Sequence, residues 1–238
     1  MADEDKIVKA GIEATLEPFA NLLEKIAGPA AEELGLALRE HVRFLRMKRQ
    51  VRLWQRTKEF LDQAGIEPKR VPLKLLAPIM ESGSLEEDDP LQDRWAALLA
   101  NAAAGKQTVH PAFPEMLKQL SAMEVVMLEI LQVEYNAWSR AVSNAAGDYE
   151  VEQEGIYYSN LQMAVTDEAV KRGFAKSRKE LYRGTVLFAR DDNLERLGLM
   201  SRFSKHKDRP ELLSCRLTSL GHIFVTACTE PNRIQKIP

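Results

Sequence analysis

The sequence predicts a mainly α-helical fold. A multi-helix region with a long basic helix at residues 1–118 is followed by a second domain at residues 119–238 that contains a β-hairpin. Over most of the chain, apolar residues recur every three or four positions, as they do on the buried face of a helix. Apolar and polar residues alternate convincingly only in residues 199–203 and 213–217, on either side of a polar loop. We therefore expect helices throughout and one small sheet near the C-terminus.

The densest helix signals lie in residues 84–105. Asp89 is the predicted N-cap, Pro90 follows at the first helical position, and Gln92 stands in capping-box register. One face of this helix is apolar and is formed by Leu91, Trp95, Leu98 and Leu99. We predict a core helix organised around the buried tryptophan. The acidic run at residues 86–89 is interpreted as neutralising helix N-termini rather than as holding a metal ion.

A long helix is predicted from about residue 29 to residue 64, and its second half is the most basic stretch of the chain. Apolar residues line one face, and four arginines fall broadly on the other: Arg46, Arg49, Arg52 and Arg56. One interpretation is a stripe that binds phosphate groups or an acidic partner. The other is a solvated face that pairs with the acids of residues 86–89, and it is favoured because charge runs usually solvate a helix.

Residues 8–26 form an amphipathic stretch with apolar residues at helical spacing. Its polar face mixes lysines with glutamates, whereas a helix that lies on a membrane normally has a polar face rich in lysine and arginine. Packing on protein is therefore favoured, and membrane perturbation is kept as an alternative. No uncharged apolar run reaches the about 20 residues that span a bilayer. Residues 1–25 lack the features of a signal peptide.

These features predict a cytoplasmic protein with no transmembrane segment. The two cysteines, Cys215 and Cys228, lie among apolar neighbours and are predicted to be small core residues. A disulfide between them is not expected in a reducing compartment.

The C-terminal domain is predicted to begin with a helix at about residues 121–135, whose Ser121 and Glu124 form a capping box. Residues 156–165 are predicted to form a short strand or extended segment, and residues 171–183 to be partly helical. A helix at about residues 185–197, the hairpin, and a closing helix capped by Thr218 complete the domain. This order resembles the back half of a winged helix-turn-helix domain, so we expect a winged-helix-like fold here.

A winged helix suggests DNA binding, and the charges around it decide how far the sequence supports that function. The net charge of −2 gives no overall attraction to nucleic acid, so a basic site must be local. The predicted recognition helix carries three acids that would repel phosphates: Asp191, Asp192 and Glu195. The loop of the hairpin carries three cations: Lys205, Lys207 and Arg209. Weak, non-specific backbone contact is therefore better supported than base reading.

Recognised catalytic and metal-binding patterns are missing from the sequence. The four histidines follow no metal-ligand spacing, and there is no HExxH, P-loop, GxSxG or dinucleotide-binding fingerprint. His110 is the best single histidine candidate, but it is interpreted as a loop residue hydrogen-bonded to a helix end. We therefore predict that the protein is not an enzyme and has no catalytic residue, cofactor or metal site.

Several phrases of the sequence resemble one protein family. They are GPAAEELGLALRE at residues 28–40, PLKLLAPIMESGSLEEDDPLQDRWAALLANA at 72–102, HPAFPEMLKQLS at 110–121, DNLERLGLMSR at 192–202 and LTSLGHIFVTAC at 217–228. This wording resembles the abortive infection alpha (Abi-alpha) family of bacterial proteins. The resemblance covers most of the chain, but little of residues 137–174. It implies a role in antiphage defence by abortive infection and supplies no catalytic residue.

The sequence and this resemblance together favour a non-enzymatic defence component that acts through contacts with a protein partner. A winged-helix DNA-binding regulator is the first alternative, and a membrane-perturbing effector that uses the N-terminal amphipathic helix is the second. The arginines of the long helix and the cations of the hairpin loop are the candidate contacts for nucleic acid or an acidic partner. The partner's identity, the phage trigger and the oligomeric state are left open by the sequence.

Overall fold

The computed structural model describes residue 25 and residues 44–106, 109–144, 155–177, 186–204 and 213–231, with the side chains at 44–46, 143 and 186–190 excepted. This part of the chain contains eight helices and three strands. In chain order they are α1 (Phe44–Ala64), α2 (Leu73–Gly83), α3 (Asp89–Ala103), α4 (Phe113–Leu117), α5 (Ala122–Asn144), β1 (Ile156–Tyr157), α6 (Tyr158–Lys171), α7 (Val186–Arg196), β2 (Met200–Ser204), β3 (Leu213–Leu217) and α8 (Ser219–Ala227). The predicted mainly helical fold with a small sheet is confirmed.

Close contacts divide the chain into two compact units. Unit 1 comprises Met1–Gln119 and Ala227–Pro238, and unit 2 comprises Leu120–Thr226. The end of the chain therefore belongs with the N-terminal unit. The predicted independent domains, 1–118 and 119–238, stay a prediction.

In unit 1, α1 and α2 both pack against α3. Trp95 on α3 is 1% exposed, and Leu53 of α1 lies beside it with no exposed surface. The predicted core helix around a buried tryptophan is confirmed. Gly83 at the end of α2 makes room for this packing, because a Cβ atom there would lie 3.1 Å from Leu53 Cδ2 and 3.2 Å from Trp95 Cβ.

The start of α3 corrects the predicted cap by one residue. The N-cap is Asp88, whose carboxylate accepts a hydrogen bond from the Leu91 amide at 3.0 Å. Asp89 instead pairs with Arg52 of α1. Gln92 does not close a capping box, since it is buried and donates through Nε2 to the Arg49 carbonyl at 3.2 Å. Two adjacent aspartates fit the same local cap signal, and contacts with α1 decide which of them is used.

Unit 2 contains a three-stranded antiparallel sheet in the order β1–β3–β2. The hairpin of β2 and β3 runs in register from Met200 opposite Leu217 to Ser204 opposite Leu213, which confirms the predicted alternation. At the N-terminus of α5, the Ser121 amide donates to Glu124 at 2.6 Å and the Glu124 amide donates to Ser121 Oγ at 3.4 Å, so the predicted capping box is confirmed. The predicted cap of α8 is confirmed as well, with Thr218 Oγ1 accepting from the Gly221 amide at 2.9 Å.

The predicted extended segment at residues 156–165 is wrong beyond its second residue. Only Ile156 and Tyr157 pair with β3, and α6 begins directly afterwards. Leu161, Val165 and Ala169 are all fully buried at helical spacing, because α6 packs against α5 and β3. The apolar run IYYSNLQMAV fits a strand as well as a helix when read alone, and this packing decides for the helix.

Of the partly helical segment predicted at residues 171–183, the structure describes residues 171–177. Within these, only Lys171, the last residue of α6, is α-helical. Arg172 caps α6, and the Phe174 amide closes the turn by donating to the Ala169 carbonyl at 2.8 Å.

Other predictions fall outside the described residues. They are the amphipathic stretch 8–26, apart from Lys25, the first half of the long helix, and the hairpin loop with Lys205, Lys207 and Arg209. None of the described helices has the length and apolar character needed to cross a membrane.

Replacing Trp95 with alanine should lower the free energy of unfolding by about 3–5 kcal/mol, the usual cost of emptying a large aromatic site in a core. Chemical denaturation followed by circular dichroism measures this loss. Trp95→Phe is the matched control. It keeps most of the aromatic surface and removes an indole N–H that has no hydrogen-bond partner, so it should cost less. Unfolding of Trp95→Ala at the wild-type denaturant concentration would contradict the buried position.

Candidate functional site

The arginines of α1 form a ladder of ion pairs with acids at the start of α3. Arg49 Nη2 lies 2.8 Å from Glu87 Oε1, and Arg52 pairs with Asp89. One turn further, Arg56 donates from Nε to Asp93 Oδ1 at 2.8 Å and from Nη2 to Oδ2 at 2.9 Å. We call these three pairs the arginine ladder. It covers the surface between α1 and α3, which pack together.

The rungs of the arginine ladder differ in exposure. The Glu87 side chain is 81% exposed and that of Asp89 is 68% exposed, whereas that of Asp93 is 34% exposed. Arg56 holds Asp93 with two bonds, donates to Glu59 at 2.6 Å and lies over the Phe60 ring at 4.8 Å. The hydrogen bond with Asp93 is the main reason why the pKa of Arg56 is raised above its usual value. A bidentate pair in lower dielectric is stronger than the exposed pairs beside it.

The arginine ladder bears on the contacts predicted for the long helix. Of the four arginines predicted on the long helix, Arg49, Arg52 and Arg56 are bonded to acids of the same chain, and two of these acids are residues 87 and 89. This is the pairing favoured by the sequence. Arg46 lies in α1, but its side chain is outside the described residues, as are Lys205, Lys207 and Arg209. Binding of nucleic acid or an acidic partner by these seven residues stays a prediction.

The acids at residues 86–89 accept hydrogen bonds from backbone amides or pair with arginines. Glu86 Oε1 accepts from the amides of Glu87 and Asp88, both at 3.0 Å, and Asp88 caps the helix. In the part of the chain that the structure describes, no group of three or more His, Cys, Asp or Glu side chains is placed to hold a metal ion.

A shallow cleft of about 250 Å³ lies beside the arginine ladder in unit 1. It is lined by Phe60, Asp89, Pro90, Asp93, Arg94, Ala97, Cys228 and Glu230. Its polar groups are largely committed within the fold, since Arg56 holds Asp93 and Arg94 donates to the Cys228 carbonyl at 3.2 Å.

A buried asparagine on α3 ties the end of α8 into unit 1. Asn101 is 1% exposed, and its Nδ2 lies 2.8 Å from the carbonyls of both Ala227 and Thr229. The Ala227 carbonyl ends α8, where the last carbonyls of a helix lack intrahelical partners, and the Thr229 carbonyl follows two residues later. The sequence reasoning missed this contact, because an asparagine in an alanine-rich helix gives no local sign of a partner more than 120 residues away.

In unit 2, the acids of α7 are arranged differently from the prediction. Asp191 has no exposed surface, so it does not present a charge to solvent as a recognition-helix residue would. Asp192 and Glu195 are bound by Arg202 of β2, with Nη2 to Asp192 Oδ1 at 2.6 Å and Nε to Glu195 Oε2 at 2.9 Å. The prediction that all three acids repel DNA is therefore wrong for Asp191, because α7 turns this position into the interior. For the other two, Arg202 offsets the charge.

Structural roles account for two of the histidines and for both cysteines. His110 Nδ1 accepts from the Ala112 amide at 3.1 Å, at the start of α4. His222 stacks on Tyr135 with ring centroids 4.3 Å apart, and burial lowers its pKa. Cys215 and Cys228 are buried and free, as predicted, and burial raises the pKa of each thiol to about 12. A thiol with such a pKa is protonated at neutral pH and is a poor nucleophile.

Comparison with known families decides the affiliation. Residues 48–228 match the family described as abortive infection alpha. The chain belongs to the abortive infection alpha family. No curated protein matches the chain, and no solved structure matches it either.

The region shared with the Abi-alpha family contains α2 to α8 and all but the first four residues of α1. It therefore includes the whole arginine ladder, the acids of α7 and the contact of Asn101 with Ala227, but not Thr229. The amphipathic stretch 8–26, on which a membrane role depends, precedes the matched region.

Removing single arginines of the ladder should have unequal effects on stability. Arg52→Ala should lower the free energy of unfolding by about 0–1 kcal/mol, because both partners are substantially exposed. Arg56→Ala should cost about 1–3 kcal/mol, because it leaves the part-buried Asp93 without two charged hydrogen bonds. Chemical denaturation at low and high salt measures both effects. An equal loss of free energy of unfolding in the two variants would show that solvent exposure does not determine how much each ion pair contributes.

Proposed function

We propose that this Abi-alpha protein is a non-enzymatic component of bacterial antiphage defence that acts through contacts with another protein. Membership of the abortive infection alpha family supports the defence role. An apolar surface at the C-terminal end of α5 supports action through protein contacts. We place this action in the cytoplasm, where free cysteines such as Cys215 and Cys228 persist.

The surface arises because α5 continues well beyond the core of unit 2. Residues 123–128 and Leu131 are buried, but none of the side chains described between residues 132 and 144 is. In that second half, Tyr135, Trp138 and Val142 follow each other at i, i+3 and i+7, so they lie on one side of the helix. The Val142 residue is 41% exposed.

These three residues have the chemistry of a protein contact. Tyr135 and Trp138 meet edge to face with ring centroids 5.4 Å apart, and Tyr135 stacks on His222. Tyrosine and tryptophan are enriched where proteins bind each other, because each combines a large apolar area with a polar group. An apolar helix side with this spacing suits a partner groove or a partner helix.

A DNA-binding regulator is the second candidate function. It is supported by α7 followed by the β2–β3 hairpin and α8, the order expected of a winged-helix-like domain. The bonds from Arg202 to Asp192 and Glu195 also weaken the electrostatic objection to DNA that the sequence raises. The cations of the hairpin loop remain its proposed contacts. Membrane perturbation has no comparable observation, because the stretch 8–26 lies outside the described residues apart from Lys25.

Val142→Asp should abolish protection against phage, because a charge within the proposed contact would have to be buried against the partner. Phage yield and survival of infected cells are measured in bacteria that express wild type or variant at equal levels. Val133→Asp is the matched control, since Val133 is 65% exposed on the opposite side of the same helix and should tolerate the charge.

Full protection by the Val142→Asp variant would rule out the proposed contact on α5, and loss of protection in both variants would indicate a general effect on folding.

His110→Ala tests the enzymatic alternative at the best single histidine candidate. It should protect as wild type does, because His110 is exposed and its ring bonds a helix start. Loss of protection with intact folding would favour catalysis.

The protein should bind duplex DNA weakly and without sequence preference, with a dissociation constant of about 10⁻⁴–10⁻⁶ M, because the few cations of the hairpin loop neutralise few phosphates. A titration at two salt concentrations against genomic and scrambled fragments measures the affinity and its slope, about −0.9 per phosphate neutralised. Replacing Lys205, Lys207 and Arg209 together with alanine should abolish this binding. Sequence-selective binding at about 10⁻⁸–10⁻¹¹ M would instead establish the regulator.

A further inference from the structure

Helix α7 carries a carboxyl group inside unit 2 with only part of its hydrogen bonding satisfied. Asp191 has no exposed surface. Its Oδ2 accepts a hydrogen bond from the hydroxyl of Tyr158 at the start of α6, while its Oδ1 has no hydrogen-bond partner. An ionised carboxylate in such a place loses its hydration and gains one donor in return, so burial favours the protonated form.

The charged groups around Asp191 do not compensate for this burial. Arg202 of β2 is the attracting charge, but it is bonded to Asp192 and Glu195 rather than to Asp191. Asp192 on the same helix and Glu124 of α5 both repel a negative charge at Asp191. Among the described residues, the buried thiol of Cys215 on β3 also lies near Asp191, and burial raises the pKa of this thiol to about 12, so it is neutral near pH 7.

We propose that Asp191 is a proton-operated lock: in its protonated form it lets α7 stay packed on β2 and α5, and in its ionised form it loosens α7. The geometry behind the lock is a fully buried carboxyl group that receives one donated hydrogen bond and has no cation from the described part of the chain bonded to it. Burial raises the pKa of Asp191 to about 7, so the lock changes state at a pH near neutrality.

The direction of the pH dependence follows from proton linkage. When α7 opens, Asp191 returns to a pKa near its ordinary value of 3.8. The closed form therefore binds a proton that the open form releases, and opening becomes easier as pH rises from about 4 to about 7. Above the pKa of the closed form, both forms are ionised and the dependence levels off. The stability that the proton provides is complete at low pH and is lost as pH rises through about 7.

His222, also in unit 2, titrates with the opposite sign. Burial lowers the pKa of His222, so unit 2 gains stability from this residue as pH rises through the ordinary histidine range. The behaviour of Asp191 is therefore read from the difference between wild type and a variant that lacks only this carboxyl. Asp191→Asn has nearly the same shape and mimics the protonated acid at every pH.

The experiment is amide hydrogen exchange of residues 186–196 in the full chain, corrected for the intrinsic pH dependence of exchange. In wild type, the opening constant of α7 should rise by up to about tenfold per pH unit between about pH 5 and pH 6.5. In Asp191→Asn this part of the slope should be lost. Asp192→Asn is the matched control, because Asp192 is exposed on the same helix. It should keep a slope of the same sign that levels off at a somewhat lower pH, since removing this repelling charge lowers the pKa of Asp191.

Equal slopes in wild type and Asp191→Asn would overturn the proposal. If the asparagine variant does not fold, the carboxyl carbon of Asp191 is followed by nuclear magnetic resonance in the wild-type chain. A midpoint near pH 7 supports the lock, and a midpoint near the ordinary aspartate value overturns it. In Tyr158→Phe the midpoint should move further upward, because the donor that stabilises the ionised form is gone.

Discussion

Burial of α3 on almost every side is the constraint on which unit 1 depends. Eleven of its 15 residues are buried, and its alanines are small enough for α1 and α2 to come close. A helix that is buried over most of its length leaves little water for the polar side chains on its buried positions. Gln92 and Asn101 accordingly reach backbone carbonyls, one on α1 and the other at the end of α8. The packing of one helix thus decides where two polar groups bond and how the end of the chain is held.

Charged groups follow the same solvation rule with opposite results in the two units. In the arginine ladder, acids and arginines meet at the surface, where each pair keeps part of its hydration and contributes little by itself. Asp191 lies in the interior of unit 2, and Arg202, a cation that attracts it, is bonded to other acids. The proposed pH response of unit 2 therefore depends on this buried carboxyl group.

The proposed function rests on the part of this Abi-alpha chain that departs from an ordinary helical core. Three of the four arginines that stand out in the sequence, Arg49, Arg52 and Arg56, are bonded within the chain, and the thiols are buried. The departure lies on α5, which extends beyond its core with aromatic and apolar residues on one side. A family name supplies the biological setting, and such a surface supplies a physical means of acting in it.

The sequence by itself determined the elements whose signals are local. Helical spacing around Trp95, the Ser121–Glu124 capping box, the Thr218 cap and the alternation of the hairpin all depend on residues a few positions apart, and all are present in the structure. The wording of several segments also determined the family. Such signals need no knowledge of distant contacts, because backbone geometry fixes which side chains share a face or reach a helix end.

Tertiary structure decided whatever depends on which segments meet. It chose Asp88 over Asp89 as the cap because Arg52 engages the latter, and it made residues after Tyr157 helical because α6 packs on α5 and β3. It also turned Asp191 inward and left Tyr158 as its hydrogen-bond donor. Neither burial nor a partner 33 residues away is encoded in local spacing, and burial with its partners is what sets the energy of a charged group.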